Sequence, residues 1–391
     1  MSEHSAHHWD VVVVGLGALG SATCLELARR GVRVLGLEQY ALGHVRGASH
    51  DSSRILRHSY HTPAYVGLTF EAYDDWARLE RDAGTPLVTV TGGLDLFPPE
   101  PAIAMDDYTS SLAACGVAFD LLDPEEVARR WPVFRLPEGT VALHQDRAAI
   151  VPASRGTAAL QHQAQRHGAV LRDESPVSAV RRTASGIALH TPAGQVHADR
   201  LVVTADAWTN QVLAGLDLRV PLEVTLEQVT YFRPERPADF EAIPLWIWMD
   251  DPSFYGFPCY GEPTVKAAQD CGGPPVPADD PSDRSFEESP KMRSLLADHL
   301  AAILPGSGRA ERSVRCLYTL TPDRDFVLGA VPGHEDVVVG LGAAHGFKFS
   351  PTLGRLLADV ATGETPGFDV TPFRMDRPGL TDPDYQAHWL V

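Results

Sequence analysis

Asp10-Val-Val-Val-Val-Gly15-Leu-Gly17-Ala-Leu-Gly20, running on through Ala22 to Leu37-Glu38, is the stretch whose reading decides the fold. Val11 to Val14 form a short β-branched run that reads as a buried strand of a parallel sheet. Gly15 allows a tight turn out of that strand, Gly17 lets the backbone approach a pyrophosphate, and Gly20 lets the next helix pack closely on the sheet. The helical pattern Ala22, Leu25, Leu27, Ala28 ends at Gly31, and a second apolar strand, Val32 to Leu37, closes on Glu38. A carboxylate at that point can accept hydrogen bonds from both ribose hydroxyls of an adenosine, while free helix N–H groups meet phosphate. Strand, glycines, helix, strand and acid in this order predict a dinucleotide site, and the absence of an arginine for a 2′-phosphate argues against NADP.

The wider composition limits what such a unit belongs to. At 391 residues the chain is long for one core, so two domains are expected. A formal net charge of −18 argues against nucleic acid and anionic membrane surfaces as partners. No apolar run approaches the roughly 20 residues that span a bilayer. The opening Met-Ser-Glu-His-Ser-Ala-His-His lacks the apolar core of a signal peptide. Five cysteines (Cys24, Cys115, Cys259, Cys271, Cys316) show no paired or zinc-like spacing, which fits a reducing cytoplasm and no metal.

Further along, Ala48-Ser-His50-Asp-Ser-Ser-Arg54-Ile-Leu-Arg57-His58 mixes small, basic and imidazole side chains just beyond the second strand, where ligands of open α/β sheets bind. A helix is expected over 64–82, a hairpin over 87–97 with Gly92-Gly93 near its turn, and helices over 102–115 and from a cap at Asp123. Residues 141–150 read as a strand and 152–167 as a helix. Three runs, 169–171, 177–181 and 187–190, read as antiparallel strands, and Leu201-Val-Val-Thr-Ala-Asp-Ala-Trp208 as another buried apolar strand ending in small residues. Strands rich in Trp, Tyr and Phe follow between 224 and 269, suggesting the floor of an apolar pocket. A Pro- and Asp-rich loop occupies 271–284 and a helix 290–303. Late in the chain, Val337 to Gly340 leads into Gly342-Ala-Ala-His345-Gly346-Phe-Lys348-Phe-Ser350 and a helix over 351–361, a second ligand-contact loop.

These residues together resemble the monomeric sarcosine oxidase / N-methyltryptophan oxidase family of FAD-dependent amino-acid oxidases. The matching groups run almost end to end: the glycine motif with Glu38, Ser49-His50 with Arg54-Ile-Leu-Arg57-His58, Arg130-Trp-Pro132, Ala207-Trp208, Tyr255-Gly-Phe-Pro258, Lys266, Cys316-x-Tyr318-Thr, Asp325-Phe, and His345-Gly-Phe-Lys348-Phe-Ser. The resemblance implies an α/β architecture: an FAD-binding Rossmann-like domain with a parallel sheet (1–88, 146–216, 316–391) and an α+β substrate domain on an antiparallel sheet (89–145, 217–315). It implies FAD held by Gly15, Gly17, Gly20, Glu38, Ser49, His50, Arg54, Val177, Trp208, Gly342, Gly346 and Lys348, and joined by a thioether to Cys316. It implies a small secondary-amine amino acid, such as sarcosine, oxidised at its C–N bond to an imine while oxygen becomes peroxide.

In that scheme Arg57 and Lys348 bind the substrate carboxylate, Arg as a planar fork and Lys as a point charge. Tyr255 and Tyr318 line the cavity, with Trp246 and Trp248 beside them. Lys266 promotes reaction with oxygen, and His50, Arg54 and His345 stand near the reacting groups. A cytoplasmic monomer is expected, with activity rising with pH as the amine loses its proton. Departures from the family pattern bear on the substrate: Ser52-Ser53 where Asp-Thr is common, Asp270 about where a histidine is usual, Asp206 for a strand-end glycine, and Gly-Ala-Ala-His for Ser-Gly-His. Oxidation of a cyclic imino acid in a biosynthetic pathway, a flavin dehydrogenase with another electron acceptor, and a non-catalytic flavoprotein stand as alternatives.

Overall fold

The computed structural model describes residues 8–277 and 280–388; expectations touching 1–7, 278–279 and 389–391 lie outside these. The opening motif folds as read. His8–Val14 is a strand, Ala18–Arg29 a helix and Val34–Leu37 a strand parallel to the first. This unit is the centre of an eight-stranded sheet. On one side of it Gly194–Val203 pairs parallel with His8–Val14, and His334–Leu341 pairs parallel with the end of Gly194–Val203. On the other side Val170–Arg172 runs parallel to Val34–Leu37. The 169–171 run is therefore not antiparallel as expected: it follows the helix Ala153–Arg166, and a strand reached through a crossover helix lands parallel. Ala179–Thr183 and Gly186–Thr191 do form the expected antiparallel extension.

Gly15 and Gly20 fix how tightly this unit closes. Gly15 has φ +96°, and a Cβ on Gly20 would collide with the Gly15 carbonyl oxygen and the Thr204 hydroxyl. A backbone oxygen cannot swing aside as a flexible side chain can. Gly20→Ala is expected to lower stability by about 3 kcal/mol. Denaturant titration checks this, and an unchanged midpoint would show that the helix can shift on the sheet.

The second sheet also has eight strands, in the order Arg309–Leu320, Glu223–Arg233, Val265–Gln269, Phe254–Gly256, Leu245–Trp248, Gly93–Phe97, Val141–Gln145, Asp120–Leu122. All its pairs are antiparallel except Leu245–Trp248 with Gly93–Phe97. The hairpin expected over 87–97 does not form. Thr89–Val90 joins a small three-stranded sheet with Arg54–Leu56 and Ala149–Val151, whereas Gly93–Phe97 pairs with Val141–Gln145 in the large one. Gly92, at φ +71°, is where the chain passes between the two. The boundary expected at 315/316 falls inside Arg309–Leu320, an edge strand of this second sheet.

Helix ends follow their local chemistry. Thr62 caps Pro63–Ala83 by accepting the Tyr65 N–H, with Pro63 at the first turn and Gly84 left-handed at the end. Asp123 likewise accepts the Glu126 N–H at 2.8 Å. Among the described residues no helix is long and apolar enough to cross a membrane.

Candidate active site

One continuous cavity runs from the glycine loop, past the edge of the second sheet, to the late loop at 342–348. At its first end the helix Ala18–Arg29 begins at Gly17 with no side-chain cap, so its early N–H groups face the cavity. The Ala18 N–H is met by the Ser49 hydroxyl at 3.0 Å. Glu38 accepts the Leu16 N–H at 2.9 Å and the Tyr40 N–H at 3.1 Å, with His44 at 3.4 Å. Burial by itself would raise this carboxyl; the His44 and Leu16 hydrogen bonds outweigh it and hold Glu38 below the ordinary range, ionised. A Cβ on Gly17 would come within 2.9 Å of the Ser49 hydroxyl, so the loop is as narrow as a phosphate cradle requires. Val177 and Trp208 line the same stretch.

Midway lies Cys316, buried and facing the cavity two residues before Tyr318 on Arg309–Leu320. Burial pushes its thiol up to about 11 against the pull of the Arg54 cation. Arg54 donates to the carbonyl oxygens of Ala48 (2.8 Å), His50 (3.0 Å) and Ser53 (2.8 Å), and so fixes the loop it belongs to. His50 is driven down to about 4 by burial and then by Arg54, so it is neutral, and its buried Nε2 has no protein partner. An orphaned ring nitrogen on a cavity wall is the mark of a group meant to meet a ligand. Asp206, at φ +48°, lines this part too, its carboxyl pushed up to about 6 by burial. A glycine-rich cradle, a ribose-binding carboxylate and a polar middle section together fit an extended dinucleotide.

The far end is a charged chamber. Lys348 donates to the Tyr60 hydroxyl at 2.8 Å and to the His345 carbonyl at 3.1 Å. His345 is pushed well below its ordinary range by burial and then by Lys348, so it is neutral. Its Nε2 lies 3.0 Å from the Arg324 carbonyl and must carry the proton. Nδ1 is then the acceptor for Tyr60, 3.4 Å away, and the chain of donors runs from Lys348 through Tyr60 and His345 to Arg324. Arg57 is buried and ion-paired with Asp95, whose second oxygen takes the Ser59 hydroxyl. The aromatic faces of Tyr60 and Tyr108 lie 5.4 and 5.9 Å from its guanidinium. Tyr255 and Tyr318 also line the cavity, near an ion pair of Asp270 with Arg324.

Two expected placements need correction. Trp246 and Trp248 do not line the cavity. Side chains alternate along Leu245–Trp248, so it is Ile247 that faces the chamber. The two tryptophans point to the other face of the sheet and pack with Leu296, Leu300 and His299 of the helix Pro290–Ile303. Lys266 is not on the cavity surface either. It is buried one layer behind, its Nζ 2.6 Å from Asp51 and 2.9 Å from the Ser53 carbonyl. Burial lowers it to about 8 against the opposing pull of Asp51. Asp51, left-handed at φ +84° and also bonded to the Tyr231 hydroxyl, is the member of this group that reaches the cavity. The other expected residues, Gly20 excepted, are all in the wall; Gly20 acts behind it, in the helix packing.

Sequence reasoning overlooks Asp51, Tyr60, Asp95 and Arg324. Asp95 carries a signal, as the one acid in the apolar strand Gly93–Phe97, all five of whose residues are buried. The pairing of Arg324 with Asp270, 54 residues away, carries none.

Comparison with known proteins agrees with this geometry. Residues 10–360 match the family described as FAD dependent oxidoreductase. The chain is 33% identical over 379 residues to human peroxisomal sarcosine oxidase, covering 94% of this chain and 96% of that one. It is 34% identical over 369 residues to monomeric sarcosine oxidase of Streptomyces avermitilis, covering 91% and 94%. With N-methyl-L-tryptophan oxidase of Salmonella typhimurium it shares 28% identity over 375 residues, covering 94% and 99%. Among solved structures it superposes on NikD, an unusual amino acid oxidase essential for nikkomycin biosynthesis, with a TM-score of 0.84 at 26% identity, covering 98% and 99%. The chain belongs to the FAD dependent oxidoreductase family.

Proposed function

We propose that the protein is an FAD-dependent oxidase of an amino acid with a secondary amine, such as sarcosine or another N-methyl amino acid, with oxygen as the acceptor. The observation that carries this reading is the single cavity, complementary at one end to an adenosine and pyrophosphate and at the other to an α-amino carboxylate. The relatives named sarcosine oxidase and N-methyl-L-tryptophan oxidase support the substrate class.

When bound, FAD supplies the two-electron acceptor for the amine carbon. The chain's own residues do the rest. Glu38 and the loop at Gly15 and Gly17 anchor the nucleotide. Lys348 and Arg57 hold the substrate carboxylate, and the Tyr255 and Tyr318 faces enclose the amine. Arg54 rigidifies the loop that brings His50 and Asp51 to the wall. Lys266 is ion-paired with Asp51 behind that wall, so the pair presents its carboxylate to the cavity, and Arg54 is the cation of this group on the wall itself, placed to favour negative charge developing there. The tryptophans expected to sandwich a cyclic imino acid lie outside the chamber, so they do not support a ring substrate.

Cys316 is the proposed point of covalent attachment, being the cysteine that lines the cavity beside Tyr318. Acid precipitation of the purified protein is expected to leave the yellow colour in the pellet. Cys316→Ala is expected to release it to the supernatant. Colour that is fully extractable from the wild type would leave the flavin bound by non-covalent contacts alone, and a protein that binds no flavin would refute the reading.

A further inference from the structure

We infer that Asp270 is the anionic pole of the substrate chamber and receives the positively charged nitrogen of a zwitterionic amino acid, whose carboxylate goes to Lys348 and Arg57. This rests on the amino-acid reading above and adds to it how the nitrogen is recognised and in which charge state it enters.

Asp270 follows directly on the strand Val265–Gln269, and its N–H donates to the Ser253 carbonyl at 2.9 Å, which fixes its backbone. Nη2 of Arg324 donates to both carboxylate oxygens, at 2.9 and 2.8 Å. Arg324 is itself held in a turn, left-handed at φ +58°, with its carbonyl taken by His345. The pair is asymmetric in a telling way. Both residues line the cavity, but the Arg324 side chain is 3% exposed and that of Asp270 is 19% exposed, so the anion is the more accessible member. Each carboxylate oxygen has two lone pairs, and Arg324 uses one on each, leaving acceptor capacity for a ligand. The charge of Asp270 is felt at Lys348, Tyr255 and Tyr318, so it stands among the groups that enclose the substrate.

A pair whose purpose was only to brace the Thr321–Asp325 turn would not need its carboxylate on the cavity side. A carboxylate placed there, in the cavity that also holds Lys348, makes a dipolar chamber that matches a dipolar ligand and disfavours a simple acid.

The test uses two ligands of one shape. Trimethylglycine and 3,3-dimethylbutanoate differ in a single atom, a quaternary nitrogen against a quaternary carbon, and neither has an amine lone pair to be oxidised. Calorimetric titration of the flavin-loaded protein is expected to show trimethylglycine binding about tenfold or more tightly. Asp270→Asn should abolish most of that ratio, and Asp270→Glu, which keeps the charge, should retain it. Equal affinities in the wild type, or a ratio unchanged in Asp270→Asn, would overturn the inference while leaving the amino-acid reading intact. If the wild type binds neither ligand, both fail.

Discussion

Arg57→Met is expected to cost the protein both its substrate affinity and about 3–5 kcal/mol of stability, and the two losses separate in a double variant. Arg57 and Asp95 are ion-paired with side chains only 8% and 5% exposed, and the Ser59 hydroxyl completes the carboxylate's contacts. Removing the cation leaves a buried carboxylate without its partner, which is the expensive half of breaking such a pair. Even with Arg57 present, burial holds Asp95 above the ordinary carboxylate range. Without it the group shifts higher still. A carboxyl whose folded value is raised binds its proton more tightly folded than unfolded. The variant should therefore be most stable below the unfolded value of about 3.9 and lose stability as the pH rises from there toward the raised folded value. Asp95→Asn in the Arg57→Met background removes the stranded charge and should recover most of the stability and flatten this dependence. It should not recover carboxylate binding. A double variant that binds substrate like the wild type would show Arg57 to be a scaffold cation and nothing more.

That experiment also exposes what one-dimensional reading can reach. The glycine unit was legible because its physics is local: turn, cradle, helix start and acid lie within one βαβ segment, and the chain folds there as read. The chamber is different. Arg57 reads as a ligand-binding cation, but its ion pair with Asp95 joins residues 38 apart, one just past the strand Arg54–Leu56 of the small sheet and the other on Gly93–Phe97 of the large one. The tryptophans mislead for a related reason. Leu245-Trp-Ile-Trp248 is apolar on both faces, so its composition does not say which face meets the cavity, and a period of two makes the choice all or nothing. Lys266 reads as a lysine at the reacting centre, yet it lies one layer behind the cavity wall, paired with Asp51. Its partner Asp51 sits at a left-handed position that a glycine would fill more easily, and nothing in the neighbouring residues announces that a strained aspartate is there to hold it.

The affinity for a plain carboxylate is expected to fall by up to about tenfold per pH unit above pH 7, through Lys348. Burial lowers this ammonium to about 7, with the Arg57 and Arg324 cations adding to the effect and Asp270 opposing it. A carboxylate ligand favours the charged form, so it binds the protonated lysine. Below about pH 7 the lysine is charged beforehand and affinity is level. Above it, each unit of pH requires a proton to be taken up on binding, until the higher value of the complex is reached. The ligand 3,3-dimethylbutanoate has no group of its own titrating between pH 6 and 9, so the slope belongs to the protein. Lys266, at about 8, and Glu227, raised to about 7 by burial, titrate nearby, but neither lines the chamber. Lys348→Gln keeps a donor toward Tyr60 and removes the charge; it should bind more weakly at pH 6 and with no slope. A slope that survives in Lys348→Gln would assign the titration to one of those other groups. For an amine substrate the same lysine opposes the gain from amine deprotonation, so kcat/KM should pass through a maximum where the sequence alone leads one to expect a steady rise.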